Sequence, residues 1–129
     1  MIVIDCSALL ALLLDPQGNA SIAAVIEGAE SLVAPDLIDV EMMSALRRLE
    51  NFRRISPLVA DRAVDQYLLL QIERFPAHEL VPSIWKLRKN FSAYDAAYVA
   101  LARSLKAPFL TGDRRLQRAV AEFTNIALI

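Results

Sequence analysis

Three aspartates in this chain share one local setting. Asp5 in "IVIDCS", Asp95 in "SAYDAAY" and Asp113 in "LTGDRRL" each stand where a helical pattern begins, and Asp5 and Asp113 come just after apolar, strand-like runs. A carboxylate in such a place accepts the free N–H groups of a first helical turn and complements the helix dipole. Ser92-x-x-Asp95 even has the form of a capping box, with Asp in place of Glu or Gln. Glu41 fits no cap. It falls in the body of a helical pattern, with Leu37 one turn before it and Ala45 one turn after, beside the apolar stripe that must meet the core. Acids are almost never buried unpaired, so Glu41 either pairs with a base such as Arg48 or belongs to a site. Gathered in one pocket, four carboxylates repel and raise one another's pKa values, which is tolerable only if something positive joins them. Oxygen-only donors select hard cations, Mg²⁺ or Mn²⁺ over zinc, with the ion keeping several waters and accepting phosphate oxygens. Ser7, two residues after Asp5, and Thr111, two before Asp113, carry hydroxyls that can hold a carboxylate or a water, and that serve equally well as cap or turn residues.

Other chemistries lack their residues. One cysteine and one histidine, Cys6 and His78, cannot assemble a nitrogen- and sulfur-ligated zinc site within one chain. A Ser-His-Asp triad would depend on His78, which falls in a polar turn between Pro76 and Pro82. A lone Cys6 rules out an intramolecular disulfide, as fits a reducing cytoplasm, and suits a small buried apolar position. The longest apolar run, Ala8 to Leu14, falls well short of the about 20 residues that span a bilayer. The N-terminus lacks a basic leader segment, so it reads as a buried strand entering a helix and not as a signal peptide. With 14 basic and 15 acidic residues the net charge is −1, so generic charge-driven binding of nucleic acid is not expected and phosphate contacts must come from local clusters. Apolar residues at 56% exceed the roughly 45–50% of average usage, which leaves surface for a partner or a dimer interface.

The elements that must position the acids alternate along the chain. "MIVI" is a β-branched strand, followed by a helix from Ser7 to Leu14 that stops at the turn Asp15-Pro16-Gln17-Gly18. Asn19 caps a second helix through about Ala29, "SLVA" is a strand, and Pro35-Asp36 opens a long amphipathic helix to about Arg53. Ser56-Pro57 starts a helix through about Leu70. A weak strand lies around Glu73 to Pro76, "VPSIWKLRKN" is a short helix, and Ser92 caps a helix through about Lys106. "APFLT" is a strand, Asp113 opens a short helix, and "NIALI" is a last strand. This pattern predicts an α/β fold in one domain over 1–129, with a central parallel sheet of about four to five strands flanked by helices on both faces. In such sheets ligands bind outside the carboxyl ends of the strands, where Asp5 and Asp113 fall.

With those residues in place, "MIVIDCSALLALL", Glu41, "FSAYDAAYVALA" and "LTGDRRL" resemble, in order and over nearly the whole chain, the motifs of the PIN-domain ribonucleases, and specifically the small VapC-type toxins of toxin–antitoxin pairs. The block from Tyr94 to Ala102 is the most specific part, and Thr111 to Leu116 the next. The resemblance puts the family's four acids on Asp5, Glu41, Asp95 and Asp113, with Ser7 and Thr111 at its supporting hydroxyl positions. Ser92 stands where threonine is common, and no second acid closely follows Asp113 as it does in some relatives.

The resemblance implies a Mg²⁺- or Mn²⁺-dependent endoribonuclease that leaves 5′-phosphate and 3′-hydroxyl ends. It further implies a cytoplasmic homodimer restrained by a cognate VapB-type antitoxin. Helices containing "ALLALLL" and "YLLL" would supply an apolar groove for that antitoxin. Arg114, Arg115 and Arg118 after Asp113, and Arg88 with Lys89 before Asp95, are candidates to hold RNA phosphates, as is the cluster Arg47, Arg48, Arg53 and Arg54. Tyr94, Tyr98 and Trp85 are expected to pack, the tyrosines against the sheet and Trp85 in the core or a dimer interface. The alternatives are a housekeeping RNA-processing nuclease with the same chemistry and a non-catalytic PIN-like interaction module. An acid-pocket phosphotransfer domain is disfavoured, since no Asp-x-Asp follows the first strand.

Overall fold

A computed structural model describes all of residues 1–129. Four strands form one sheet in the order β3-β2-β1-β4: β1 (Ile2–Ile4), β2 (Leu32–Pro35), β3 (Ile72–Phe75) and β4 (Phe109–Leu110). All three pairings are parallel, and Val3 of β1 stands between Val33 of β2 and Phe109 of β4. Successive side chains of a strand point to opposite faces, and Ile2, Val3 and Ile4 are all buried, as are Leu32, Val33 and Ala34. Both faces of the central strands are therefore covered, which explains why these segments read as unbroken apolar runs.

Seven helices cover the sheet: α1 (Cys6–Leu14), α2 (Ala20–Gly28), α3 (Ile38–Asn51), α4 (Pro57–Leu69), α5 (Ala77–Lys86), α6 (Ala93–Leu105) and α7 (Arg114–Phe123). Helix α6 is buried at every position from Ala96 to Ala102. Four alanines in that stretch leave little side-chain bulk, so its backbone can lie close to β1, β2 and α5, all of which it touches. Its central position fixes Asp95 and Tyr98 against the rest of the fold. Removing a buried aliphatic side chain such as Leu9 or Ile4 would cost about 2–5 kcal/mol.

Some local expectations are corrected. Asn19 does not cap α2; its side-chain amide donates to the carbonyls of Ala11 and Asp15, closing the end of α1. Asp36 likewise does not cap α3. Its carboxylate accepts from the Ala77 N–H at 3.1 Å, so a residue after β2 caps the helix after β3. That long-range cap starts α5 at Ala77, one turn earlier than the expected start at Val81, and leaves Pro82 inside the helix and His78 in its first turn. "NIALI" contributes one parallel bridge, Leu128 to Phe109, because β4 is only two residues long and Phe109 alone exchanges bonds with Ala127 and Ile129. No helix is long and apolar enough to cross a membrane.

Candidate active site

The end of β1 fixes the first acid. Asp5 leaves the strand in an extended conformation and caps α1, its Oδ1 accepting from the Ala8 N–H at 3.0 Å and from the Ser7 hydroxyl at 2.7 Å. The Thr111 hydroxyl, just past β4, donates to Asp5 Oδ2 at 2.5 Å. Each hydroxyl has one hydrogen, and both are directed to Asp5, so the 3.1 Å approach of Ser7 Oγ to Thr111 Oγ1 is a contact of two oxygens. Both hydroxyl oxygens accept in turn, Ser7 from the Gly112 N–H at 2.9 Å and Thr111 from the Asp113 N–H at 3.1 Å. The loop from β4 to α7 is thereby tied to the start of α1. Gly112 lies so close that an added Cβ would stand 3.2 Å from the Ser7 carbonyl oxygen.

Asp113 caps α7, with Oδ1 accepting from the N–H groups of Arg115 at 2.8 Å and Leu116 at 3.2 Å. Asp95 is not a cap, since Ser92 Oγ accepts from the Asp95 N–H at 3.2 Å and does that work. Glu41 stands in α3, half-buried, and its Oε1 accepts from the Tyr98 hydroxyl at 2.7 Å. Asp5, Glu41, Asp95 and Asp113 all line one open cleft of about 590 Å³ at the carboxyl edge of the sheet.

Electrostatics in the cleft are unbalanced. Burial pushes the Asp5 carboxyl above its ordinary range, against the pull of the Thr111, Ala8 and Ser7 donors, and the Asp95 charge pushes it the same way. Burial raises Glu41 as well, opposed by the Tyr98 hydroxyl and reinforced by Asp5 and Asp95. Asp95 is raised by burial and by Asp113, with Ser92 and Arg115 pulling it down. None of the four is ion-paired. The chain's ion pair joins Arg74 to Asp39 at 2.8 Å, so the pairing of Glu41 with Arg48 considered from sequence is not formed, although Arg48 lines the same cleft. The donor set is oxygen-only and none of its carboxylates is taken up in an ion pair, which suits a hard divalent cation. As the side chains stand, no three acidic, histidine or cysteine groups are gathered closely enough to hold one ion.

The arginines divide. Arg115 stands near enough to Asp95 to lower its pKa, Arg114 lines an adjoining cleft beyond Gly112, and Arg118 turns back to the Arg114 carbonyl. Arg88 lies over the Trp85 ring at 4.3 Å and donates to the Trp85 carbonyl, away from the acids. Tyr98 packs as expected, 2% exposed and stacked on Phe109, but Tyr94 is 63% exposed on the cleft, and Trp85 is 66% exposed and outside the core. Tyr94 departs from expectation because it lies two residues before the buried stretch of α6, in its exposed first turn. Cys6 also lines the cleft, and burial together with the Glu41 and Asp5 charges pushes its thiol up to about 12, so it stays protonated and inert. Sequence reasoning missed the Tyr98 hydroxyl as the partner of Glu41 and the close approach of Gly112 to Ser7. It also missed Gln117, whose amide donates to the Thr111 carbonyl at 2.8 Å. Only the tertiary structure shows these contacts.

A parallel sheet of this order with acids converging at its carboxyl edge defines a class of small α/β domain, and the sequence profile of the PIN domain matches residues 2–122: the chain belongs to the PIN-domain family. Within that family its relatives are VapC ribonucleases. It is 44% identical over 117 residues to VapC ribonuclease Mb0985 of Mycobacterium bovis, covering 90% of this chain and 88% of that protein. It is 40% identical over 131 residues to ribonuclease VapC1 of Mycobacterium tuberculosis, covering 98% and 96%. Among solved structures, PAE2754 of Pyrobaculum aerophilum matches with a TM-score of 0.69 at 26% identity, over 98% of this chain and 81% of that one. VapC20 of Mycobacterium tuberculosis, a sarcin–ricin loop cleaving toxin, shares the fold with a TM-score of 0.65 at 18% identity, over 92% and 95%.

Proposed function

We propose that this protein is an endoribonuclease toxin of the VapC type that requires Mg²⁺ or Mn²⁺, acts in the cytoplasm and is held in check by a VapB-type antitoxin. The observation that carries the reading is the convergence of Asp5, Glu41, Asp95 and Asp113 on one cleft with none of them in an ion pair. Asp5, Asp95 and Asp113 would hold the ion, with Asp5 fixed by its hydroxyl donors and the side chains of Asp95 and Asp113 turning toward it. When bound, such an ion supplies Lewis acidity and positive charge for attack of water on a phosphodiester phosphorus.

The chain's own residues then have distinct roles. Ser7 and Thr111 hold Asp5 in one orientation by donating to its two oxygens. The Tyr98 hydroxyl occupies Oε1 of Glu41, which leaves Oε2 to orient the attacking water and receive its proton. Water oxygen bonds to phosphorus, the P–O3′ bond breaks, and O3′ takes up a proton, giving 5′-phosphate and 3′-hydroxyl ends. Arg115 and Arg114 flank the acids and are suited to the RNA backbone.

Partner surface is available. Leu68 and Leu69 at the end of α4, which packs against α1, are each 74% exposed, and they suit an apolar antitoxin segment or a second copy of the chain in a homodimer. The kinship with VapC ribonucleases favours a toxin over a housekeeping nuclease, and growth arrest on expression, relieved by Asp95→Asn, separates the two.

The direct test incubates the purified chain with structured RNAs in Mg²⁺ or Mn²⁺ and maps the ends. Cuts that vanish in EDTA and leave ligatable 3′-hydroxyls support the reading. Cyclic phosphate ends, or cutting that persists in EDTA, would refute the mechanism.

A further inference from the structure

We infer that Tyr94 and Arg48 form a nucleotide subsite beside the acids, in which Tyr94 stacks on an unpaired base of a single-stranded RNA segment and Arg48 holds a flanking phosphate. The inference rests on the ribonuclease reading of the cleft and names the class of substrate that the cleft takes.

Glu41, Ser44, Ala45 and Arg48 recur every three or four residues along α3 and all line the cleft, so one stripe of α3 forms a side of it. The first turns of α6 supply Tyr94, Asp95 and Tyr98. Arg48 is exposed and makes no ion pair and no side-chain hydrogen bond within the chain, so its donors are available to a ligand. Seven residues from Glu41, it stands about 10 Å further along the helix, a spacing that suits a phosphate next to the scissile one.

Tyr94 is a large aromatic residue with no partner. The chain's aromatic pairs are Phe91 with Phe123 and Tyr98 with Phe109, and Tyr94 belongs to neither. An exposed ring adjoining a charged groove is how sequence-tolerant single-strand binding is built, since every base has a face to stack. A duplex hides its base faces, so this pairing of ring and guanidinium selects unpaired nucleotides in a loop or an end. A protein segment could use the apolar wall of the same cleft, but it would not need the guanidinium and the ring together beside four acids.

The test measures binding by fluorescence anisotropy in Mg²⁺, on an Asp95→Asn background that leaves the RNA uncut. The probes are a 5′-fluorescein single-stranded RNA of random sequence and an abasic strand of the same length. Tyr94→Ala is expected to weaken the RNA roughly tenfold while leaving the abasic strand unchanged, and Tyr94→Phe to bind like the parent. Arg48→Ala is expected to weaken both strands and to lower the slope of log affinity against log salt by about 0.7, with partial recovery in Arg48→Lys. Both side chains are exposed, so melting temperatures should not move, and unchanged melts exclude unfolding as the cause. Equal affinities in all variants would overturn the subsite and leave that surface to a protein partner. If the wild-type chain cuts no RNA but these binding differences appear, the ribonuclease reading fails and the subsite stands.

Discussion

The Tyr98 hydroxyl donates to Glu41 Oε1 at 2.7 Å, joining α6 to α3 across 57 residues of chain. Burial and the Glu41 charge push the Tyr98 pKa well above the usual phenolic range, so the proton stays on the tyrosine and Glu41 accepts. Tyr98→Phe keeps the ring stacked on Phe109 and removes only the donor. We expect it to cost about 1–3 kcal/mol at pH 7 and less at pH 4, since protonation of Glu41 weakens it as an acceptor. Denaturant unfolding at the two pH values checks this, and an equal loss at both would contradict it. Loss of a donor that had been lowering the Glu41 pKa also moves the acid limb of the cleavage profile to higher pH.

Asp5, Glu41 and Asp95 all hold their protons more tightly folded than unfolded. Between the ordinary carboxylate range and their raised values the folded state therefore holds more protons than the unfolded state, and by linkage the stability contributed by these groups falls as pH rises across that window. Asp39, lowered chiefly by its hydrogen bond from Arg74, works in the opposite sense, losing its contribution as pH falls, but it is exposed and screened. In EDTA, Asp95→Asn should be more stable than wild type at pH 7 and equal to it near pH 4, as read by thermal melts. A variant less stable at pH 7 would show that Asp95 is structural.

Caps and candidate ligands can be separated. Asp113 Oδ1 accepts two N–H groups at the start of α7, and asparagine retains such an acceptor. Asp113→Ala should lose about 1 kcal/mol of stability and Asp113→Asn little, while both lose cleavage. Asp95 caps nothing, so Asp95→Ala should abolish cleavage without a comparable loss of stability.

Thr111 is buried and serves Asp5 and Asp113 at once. Thr111→Val keeps the shape, strips Asp5 of a donor and strands the Asp113 N–H. The expected result is a loss of about 1–3 kcal/mol. Mn²⁺ affinity should also fall by about 10–100-fold, with Thr111→Ser recovering most of it. Ser7→Ala should act in the same direction. Titration of Mn²⁺ by calorimetry would decide, and unchanged affinity in Thr111→Val would exclude the hydroxyl from the site.

The legible parts of this molecule are those written in local pattern. Asp5, Ser92 and Asp113 are each a cap read correctly from a few neighbouring residues, and the apolar runs of β1 and β2 announce strands buried on both faces. Glu41 was legible as an acid with no local reason to be there. Contacts between distant segments were not: Asp36 caps α5 from across the sheet edge, so the helix starts at Ala77, one turn before the expected "VPSIWKLRKN". Tyr94 and Tyr98 look alike in sequence, four residues apart on one helix. One reaches the sheet and the other clears its edge, a difference set by where α6 docks.

The proposed ribonuclease activity requires the four acids of the cleft to serve a divalent cation. Its most direct test follows the cleavage rate of an RNA pool as Mn²⁺ is titrated into wild-type protein and Asp95→Asn. We expect a saturable, metal-dependent rate in the wild type and none above background in the variant. Equal rates in the two proteins, or a wild-type rate that ignores the metal, would contradict it.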